Sequence, residues 1–163
     1  MGQMSSQVKE QAGHVNADGS IGLAEARCKA AGERLTPARR EAYLAMLEQD
    51  KPLSAYELIA VLEKQKGKKI APLTVYRHLD FLMRVGLVHR LESTHSYVAC
   101  VHPEHTHESH YLLCSECGGA DEVESRALGS LLDEIADRHG FQPKNAIVEI
   151  KGVCGDCVSD EKK

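Results

Sequence analysis

Two Cys-x-x-Cys pairs, Cys114-Ser115-Glu116-Cys117 and Cys154-Gly155-Asp156-Cys157, constrain this chain more than any other feature. Four thiolates in two knuckles form the closed, tetrahedral ligand set of a structural Zn²⁺ site. The 36 residues between the knuckles exceed an ordinary zinc-ribbon gap, but they accommodate one strand-helix-strand unit. The competing reading of the same pairs is two redox dithiols. A metal held here closes a long loop and contributes folding energy directly. Such help is needed, because the 163 residues include no Trp and only 4% aromatics. That composition disfavours one large core, and small domains often depend on a metal or a partner subunit.

No apolar run approaches the ~20 residues that span a bilayer, and the polar N-terminus has no secretory hydrophobic region. The opening Met-Gly-Gln-Met-Ser-Ser matches a myristoylation pattern, which is short enough to arise by chance. The expectation is a soluble, cytoplasmic protein. In that compartment paired cysteines bind metal or do redox chemistry instead of forming structural disulfides.

Charge divides the chain. The formal net charge is −4, yet Arg27 to Arg90 hold 13 Lys/Arg against 7 Asp/Glu, while residues 91 to 163 hold 6 against 14. A basic first half followed by an acidic half rich in His and Cys suggests a nucleic-acid reader joined to a cation-binding module. Uneven surface charge without a partner would look the same.

Local signals give the first half its elements. An amphipathic helix is expected from Ile21 to about Ala31, after a mobile tail over residues 1–20. Thr36-Pro37 offers an N-cap followed by a proline at the first helical position. The helix it opens puts Tyr43, Leu44 and Leu47 on its apolar side. Ser54-Ala55-Tyr56-Glu57 is a capping box, in which hydroxyl and carboxylate each satisfy a free backbone N–H; Leu58, Val61 and Leu62 form the core face behind it. Ala71-Pro72 opens a third main helix, ending before Gly86. Its Val75, Leu79, Leu82 and Met83 make one buried stripe, and Leu73, Arg77 and Arg84 lie opposite. Two short β-type runs, Leu87 to Leu91 and Ser96 to Cys100, make a hairpin. Helices and a hairpin in this order read as a winged helix-turn-helix. The helix from Pro72 to Val85 is the one to enter a major groove.

The second half reads as a strand from Tyr111, the first knuckle, a strand near Val123 and a helix capped by Ser125. A last strand from Ala146 to Ile150 leads to the second knuckle. Leu128, Leu131, Leu132 and Ile135 are the helix's apolar positions. A unit this small has a thin core and exposed edges, and pairing across a dimer would address both. The fold class is therefore α+β: a winged helix-turn-helix over 21–101, a His-rich hinge loop over 102–110, a zinc-stapled α/β dimerisation domain over 111–158, and a tail over 159–163.

Between the halves lies a second cluster: His89, Cys100, His102, His105, His107 and His110, with Glu104, Glu108 and Glu122 near. His89 and Cys100 sit on the two wing strands, where a hairpin can bring them together. Neither belongs to a local zinc-finger pattern, so folding and domain orientation must assemble any site they form. Such a site can sense a metal. Enzymatic readings fit poorly. In His107-Glu108-Ser109-His110 the histidines are three apart, where a metalloprotease helix needs four. The His-x-Glu…Pro-Cys-x-x-Cys of zinc deaminases is missing, as are Gly-rich phosphate loops and nucleophile elbows. Cys28 could be a further ligand, but a buried apolar cysteine suits its helix.

Leu35-Thr36-Pro37-Ala38-Arg39, Ser54-Ala55-Tyr56-Glu57-Leu58 and Thr74-Val75-Tyr76-Arg77-His78-Leu79, together with the two knuckles, resemble the ferric uptake regulator family from about Ile21 to Cys157. Val88-His89-Arg90-Leu91-Glu92-Ser93-Thr94 and Ser96-Tyr97-Val98-Ala99-Cys100 are similar to its zinc-sensing branch. The resemblance implies a homodimeric repressor that binds an AT-rich inverted-repeat DNA operator when zinc-loaded and represses zinc-uptake genes. It implies His89, Cys100, His107 and Glu122 as the regulatory zinc ligands, with Cys114, Cys117, Cys154 and Cys157 structural, and Tyr56 and Arg77 as DNA-contacting positions.

The pattern departs from the iron-sensing branch at Pro52, where that branch has a histidine. The loop His105-Thr106-His107-Glu108-Ser109-His110 is also spaced differently, so His107 and His110 both stay open as the ligand. His139 matches a histidine of a further metal site in some relatives, but Gly129 stands where its Glu partner would, leaving a third site with His105, His110 or His139 undecided. A Cys ligand beside His and Glu favours Zn²⁺ over Mn²⁺. The alternatives are a sensor of iron, manganese or peroxide and, from another class, a zinc-storage protein or zinc-dependent enzyme, neither of which needs the basic winged-helix half.

Overall fold

The computed structural model describes residues 17–100, 109–143 and 146–160. His102, Glu104, His105, His107 and Glu108 lie outside the described residues. The first half runs α1 (Ala17–Ala30), α2 (Pro37–Leu47), α3 (Ala55–Lys66), α4 (Pro72–Arg84), β1 (Val88–Leu91) and β2 (Ser96–Ala99). The second runs β3 (Ser109–Cys114), β4 (Ala120–Val123), α5 (Arg126–Arg138), β5 (Ile147–Gly152) and α6 (Gly155–Asp160). The fold class is α+β, with a winged helix-turn-helix ahead of a small α/β unit.

α1 begins at Ala17, ahead of the expected Ile21, so the last residues assigned to the tail are helical. Ile21, Ala24 and Cys28 explain its place: they follow helical spacing and are all buried against the other helices. Burial also pushes the Cys28 thiol above its ordinary range. At the other end α6 extends to Asp160, past the expected start of the tail.

α2 has Pro37 in its first turn, as its sequence predicts, but Thr36 at the N-cap makes no side-chain cap hydrogen bond. Its buried residues are Ala42, Tyr43, Ala45 and Met46, while the expected Leu44 and Leu47 are only partly buried. The reason is its position. α2 packs against α1, α3, α4 and β2, and alanine lets neighbouring backbones approach where leucine would hold them apart. α3 starts with the expected capping box. Ser54 Oγ accepts the Glu57 N–H at 3.3 Å, and the Glu57 carboxylate accepts the Ser54 N–H at 2.7 Å. The Ser54 hydroxyl, which donates to the Glu57 carboxylate at 2.7 Å, and then the Ser54 N–H hold that carboxyl below its usual range. A cap of this kind is worth about 1 kcal/mol.

α4 ends in a Schellman motif. The Gly86 N–H donates to the Met83 carbonyl at 3.0 Å and the Leu87 N–H to that of Leu82 at 2.8 Å, with Gly86 at φ +74°. This turn sends the chain from the helix straight into the wing. A side chain at Gly86 would be strained by the left-handed backbone, and its Cβ would lie 3.0 Å from an Arg27 guanidinium nitrogen. Gly86→Ala should therefore lower stability by about 1–2 kcal/mol. Thermal melting checks this, and an unchanged midpoint would refute it.

β1 and β2 pair antiparallel, His89 opposite Val98 and Leu91 opposite Ser96. Leu53 adds a third short rung, exchanging backbone hydrogen bonds with Tyr97 at 2.9 and 2.7 Å. In the second half the sheet order is β4-β3-β5, with β3 antiparallel to β4 and parallel to β5. Ser125 caps α5 by accepting the Leu128 N–H at 3.3 Å.

The cores are unequal. One large cluster joins α1 to α4 with the wing. A small one unites Leu91 and Val98 of the wing with Tyr111, Leu113 and Ala120 of the second sheet. No residue of α5 is buried, although Leu131 and Ile135 are large and apolar; Leu112 and Ile150 of the sheet are exposed too. Among the described residues no helix is long and apolar enough to cross a membrane.

Candidate metal centres and nucleic-acid interface

The parallel pairing of β3 with β5 builds the first centre. Its register ends with Cys114 opposite Gly152, so the two knuckles leave neighbouring strand ends side by side. The long gap between them is the chain needed to form β4 and α5 and to return along β3. Backbone bonds fix the turn: the Ser115 N–H donates to Gly152 at 2.8 Å and the Gly118 N–H to Cys114 at 3.0 Å. Cys114, Cys117, Cys154 and Cys157 then offer four sulfurs within 4.8 Å of one another. Cys114 to Cys157 and Cys117 to Cys154 are each 3.9 Å. Four sulfurs about 2.3 Å from a central Zn²⁺ would stand about 3.8 Å apart, so the group fits the ion.

Electrostatics agree with that fit. The Cys117 and Cys154 N–H groups aim at the Cys114 sulfur and bring its thiol down to about 6. Cys157, hydrogen-bonded to the Cys154 sulfur, desolvated, and close to Cys114, is pushed up to about 12. One thiolate is welcome in this cluster and further ones repel, unless a cation lies among them.

The second centre lies between the halves. His89 on β1, Cys100 just after β2 and Glu122 on β4 bring one ligand atom each within 4.8 Å of the others. Cys100 is fully buried. Its N–H donates to the Leu87 carbonyl at 2.9 Å, and its carbonyl accepts from the Tyr43 hydroxyl at 3.2 Å. Glu122 pairs with Tyr111 across the sheet, and the Tyr111 ring is 6.1 Å from that of His89. Of the four expected regulatory ligands, three converge; His107 lies outside the described residues. His110, the other candidate, is buried but pairs with Val123, one step out of phase with Tyr111 and Glu122. Alternation along a strand sends it to the opposite face. Its Nδ1 has no hydrogen-bond partner among the described residues. His139 is the exposed C-cap of α5.

The third surface is that of α4. Val75, Leu79, Phe81 and Leu82 are buried, while Leu73, Tyr76 and Arg77 are exposed. Contacts from behind fix this orientation. Arg27 Nε donates to the Val85 carbonyl at 3.0 Å, Arg84 bonds Glu33 at 2.6 Å, and the Arg39 guanidinium sits 3.6 Å over the Phe81 ring. Tyr56, in the first turn of α3, is 72% exposed. Phe81, which the α4 stripe did not include, is buried, with Arg39 over its ring and the Arg84 guanidinium 5.5 Å from the ring centre. Tyr111 and Glu149, which touch the wing from the second sheet, carry no motif that could have marked them.

The ferric uptake regulator family model matches residues 30–151. The zinc uptake regulation protein of Escherichia coli (strain K12) is 37% identical over 142 residues, which covers 86% of this chain and 82% of that protein. A solved structure of a zinc uptake regulator complexed with zinc and DNA aligns with a TM-score of 0.84 at 35% identity, covering 91% of this chain and 99% of that one. The crystal structure of holo XcZur aligns with a TM-score of 0.77 at 39% identity, covering 88% and 99%. The paired knuckles, the winged helix and a correspondence over most of the chain lead to one conclusion: the chain belongs to the ferric uptake regulator family.

Proposed function

We propose that this protein is a zinc-responsive transcriptional repressor that binds an AT-rich inverted-repeat operator when zinc-loaded and represses zinc-uptake genes. The observation that carries it is the convergence of His89 and Cys100, on the DNA-reading half, with Glu122 of the second sheet. A regulatory Zn²⁺ would tie the two halves across that gap, with His107 as the fourth ligand. The Cys, His and Glu donors suit Zn²⁺ better than the harder ions. Cys114, Cys117, Cys154 and Cys157 would hold a structural zinc. A repressor of this kind carries out no catalysis and works in the cytoplasm.

The division we infer is a DNA-binding domain over 21–101, extended back to Ala17 by α1, and a dimerisation domain that starts at Ser109, since Ser109 and His110 of the expected hinge belong to β3, and runs to Asp160 with α6; 102–108 joins the two. The exposed apolar faces of α5 and of Leu112 and Ile150 support a homodimer, because one chain leaves them uncovered. Two copies would then present two α4 helices to the half-sites of an inverted repeat.

A zinc-buffered operator-binding curve with a chelator control tests the whole reading. Binding should follow free zinc and collapse with chelator. Zinc-independent binding would refute it, and an equal response to Fe²⁺ or Mn²⁺ would reassign the chain to another branch of its family.

In this reading Arg77 meets a base edge, since arginine bonds guanine in bidentate fashion and Arg77 lies near the start of α4. Arg77→Ala should cost about 1–3 kcal/mol and relax discrimination at one position per half-site. Binding to single-base operator variants across a salt series decides the matter. A uniform loss with a salt slope flatter by about one would make Arg77 a phosphate anchor instead.

A further inference from the structure

Besides the apolar contact of Leu91 and Val98, polar groups of the second sheet grip the wing at two places among the described residues, and one of them is the candidate metal centre. Glu122 of β4, Tyr111 of β3 and Glu149 of β5 stand in register across the sheet. Glu122 meets His89 and Cys100, and Tyr111 lies beside His89. Glu149, at the other end of the row, reaches the turn of the wing hairpin. Its two carboxylate oxygens accept the N–H groups of Glu92 at 2.7 Å and Ser93 at 3.1 Å. Lys151, two residues on and therefore on the same face, donates from Nζ to the Ser93 carbonyl at 3.4 Å. A carboxylate that accepts two successive backbone N–H groups makes charge-assisted bonds, stronger than neutral ones. These bonds cross from one half of the molecule to the other, and they need no ion.

We propose that Glu149 is a positioning residue: a metal-independent latch that holds the wing where His89, Cys100 and Glu122 converge, and thereby sets how much free zinc the regulatory site requires. The inference rests on the zinc-responsive reading given above. A site assembled from two parts binds more weakly in proportion to the fraction of molecules in which the parts are together. Any contact made only in the converged arrangement raises that fraction, and with it the zinc affinity. Glu149 touches neither zinc nor DNA in this scheme. It acts through the hairpin, whose own β1–β2 pairing does not depend on it.

The test uses the full chain with its structural zinc in place. Glu149→Gln keeps the shape but loses the charge, and it sets an amide NH₂ against backbone donors. Chelator competition without DNA should show the regulatory site weakened about tenfold, the scale of one charge-assisted hydrogen bond, with the structural zinc retained. The zinc midpoint of operator binding should move up by the same factor. Lys151→Met should shift both in the same direction by less. Hydrogen exchange gives a reading that needs no variant: in the wild-type protein the Glu92 and Ser93 amides should exchange more slowly than those of Thr94 and His95, and Glu149→Gln should release them while β1 and β2 stay protected. Equal exchange at the four amides, or unchanged regulatory affinity in Glu149→Gln, overturns the latch. Loss of zinc-dependent operator binding in the wild type would instead overturn the function, and the exchange pattern would still judge the latch.

Discussion

Cys117→Ser is expected to lose one zinc equivalent per chain, to melt far below the wild type and to dissociate into monomers that no longer bind the operator. Structural zinc in small peptides is worth about 10–16 kcal/mol apparent at neutral pH, which exceeds the whole stability of many domains. Here it would fasten the ends of β3 and β5, and the sheet they share has little else to hold it. Its core is Tyr111 and Leu113 against the wing, and its helix α5 has no buried residue. Removing one thiolate also leaves the Cys114 sulfur, already poised as an anion, beside two others with the ligand set broken. Zinc content by metal analysis, melting and sedimentation check the prediction together. A variant that retains its zinc, its midpoint and its dimer would exclude the four-cysteine site.

Cys100→Ser should have the opposite profile: structural zinc, melting and dimer kept, zinc-dependent operator binding lost. The backbone at Cys100 is held by Leu87 and Tyr43 through main-chain groups that serine leaves intact. What changes is the ligand atom. Second-layer partners of metal ligands already cost about 10–100-fold in affinity when removed, so loss of the ligand itself should reach at least the upper end. Serine buried where the thiol stood, together with His89 and Glu122, gives a harder and weaker set for Zn²⁺. Metal analysis on the purified variant and a zinc-buffered binding curve separate the two centres. If Cys100→Ser represses with the wild-type zinc response, Cys100 is no ligand and the site between the halves has another purpose. Taken together the two variants distinguish a zinc that builds the protein from a zinc that reports to it.

How far the chain could be read before folding differs from element to element. The helix starts were legible wherever a side chain or ring acts on its own turn: Ser54 with Glu57, Pro37 and Pro72. Gly67 and Gly86 closed their helices for the equally local reason that each takes a left-handed backbone. Periodicity gave the α4 stripe and the side of α2 that meets the core, but it did not mark Ala42, Ala45 and Met46, because helical spacing does not reveal that four neighbours crowd one helix. It also named the apolar positions of α5, and the structure adds that none of them is buried within a single chain.

The sequence by itself determined the local matters: the capping box, the turn glycines, the exposed side of α4 that carries Arg77, and the two Cys-x-x-Cys pairs. Spacing within one turn or one knuckle decides these, and folding adds nothing to them except their meeting. Tertiary structure alone decided the rest. Parallel pairing of β3 with β5 brought knuckles 36 residues apart onto one centre. The docking of Leu91 and Val98 on Tyr111, Leu113 and Ala120 chose His89, Cys100 and Glu122 from a crowd of histidines and carboxylates, and strand alternation turned His110 away. The same docking placed Glu149 under the wing turn. Contacts between residues far apart in the chain have no local signature, because what selects them is the register of one sheet against another.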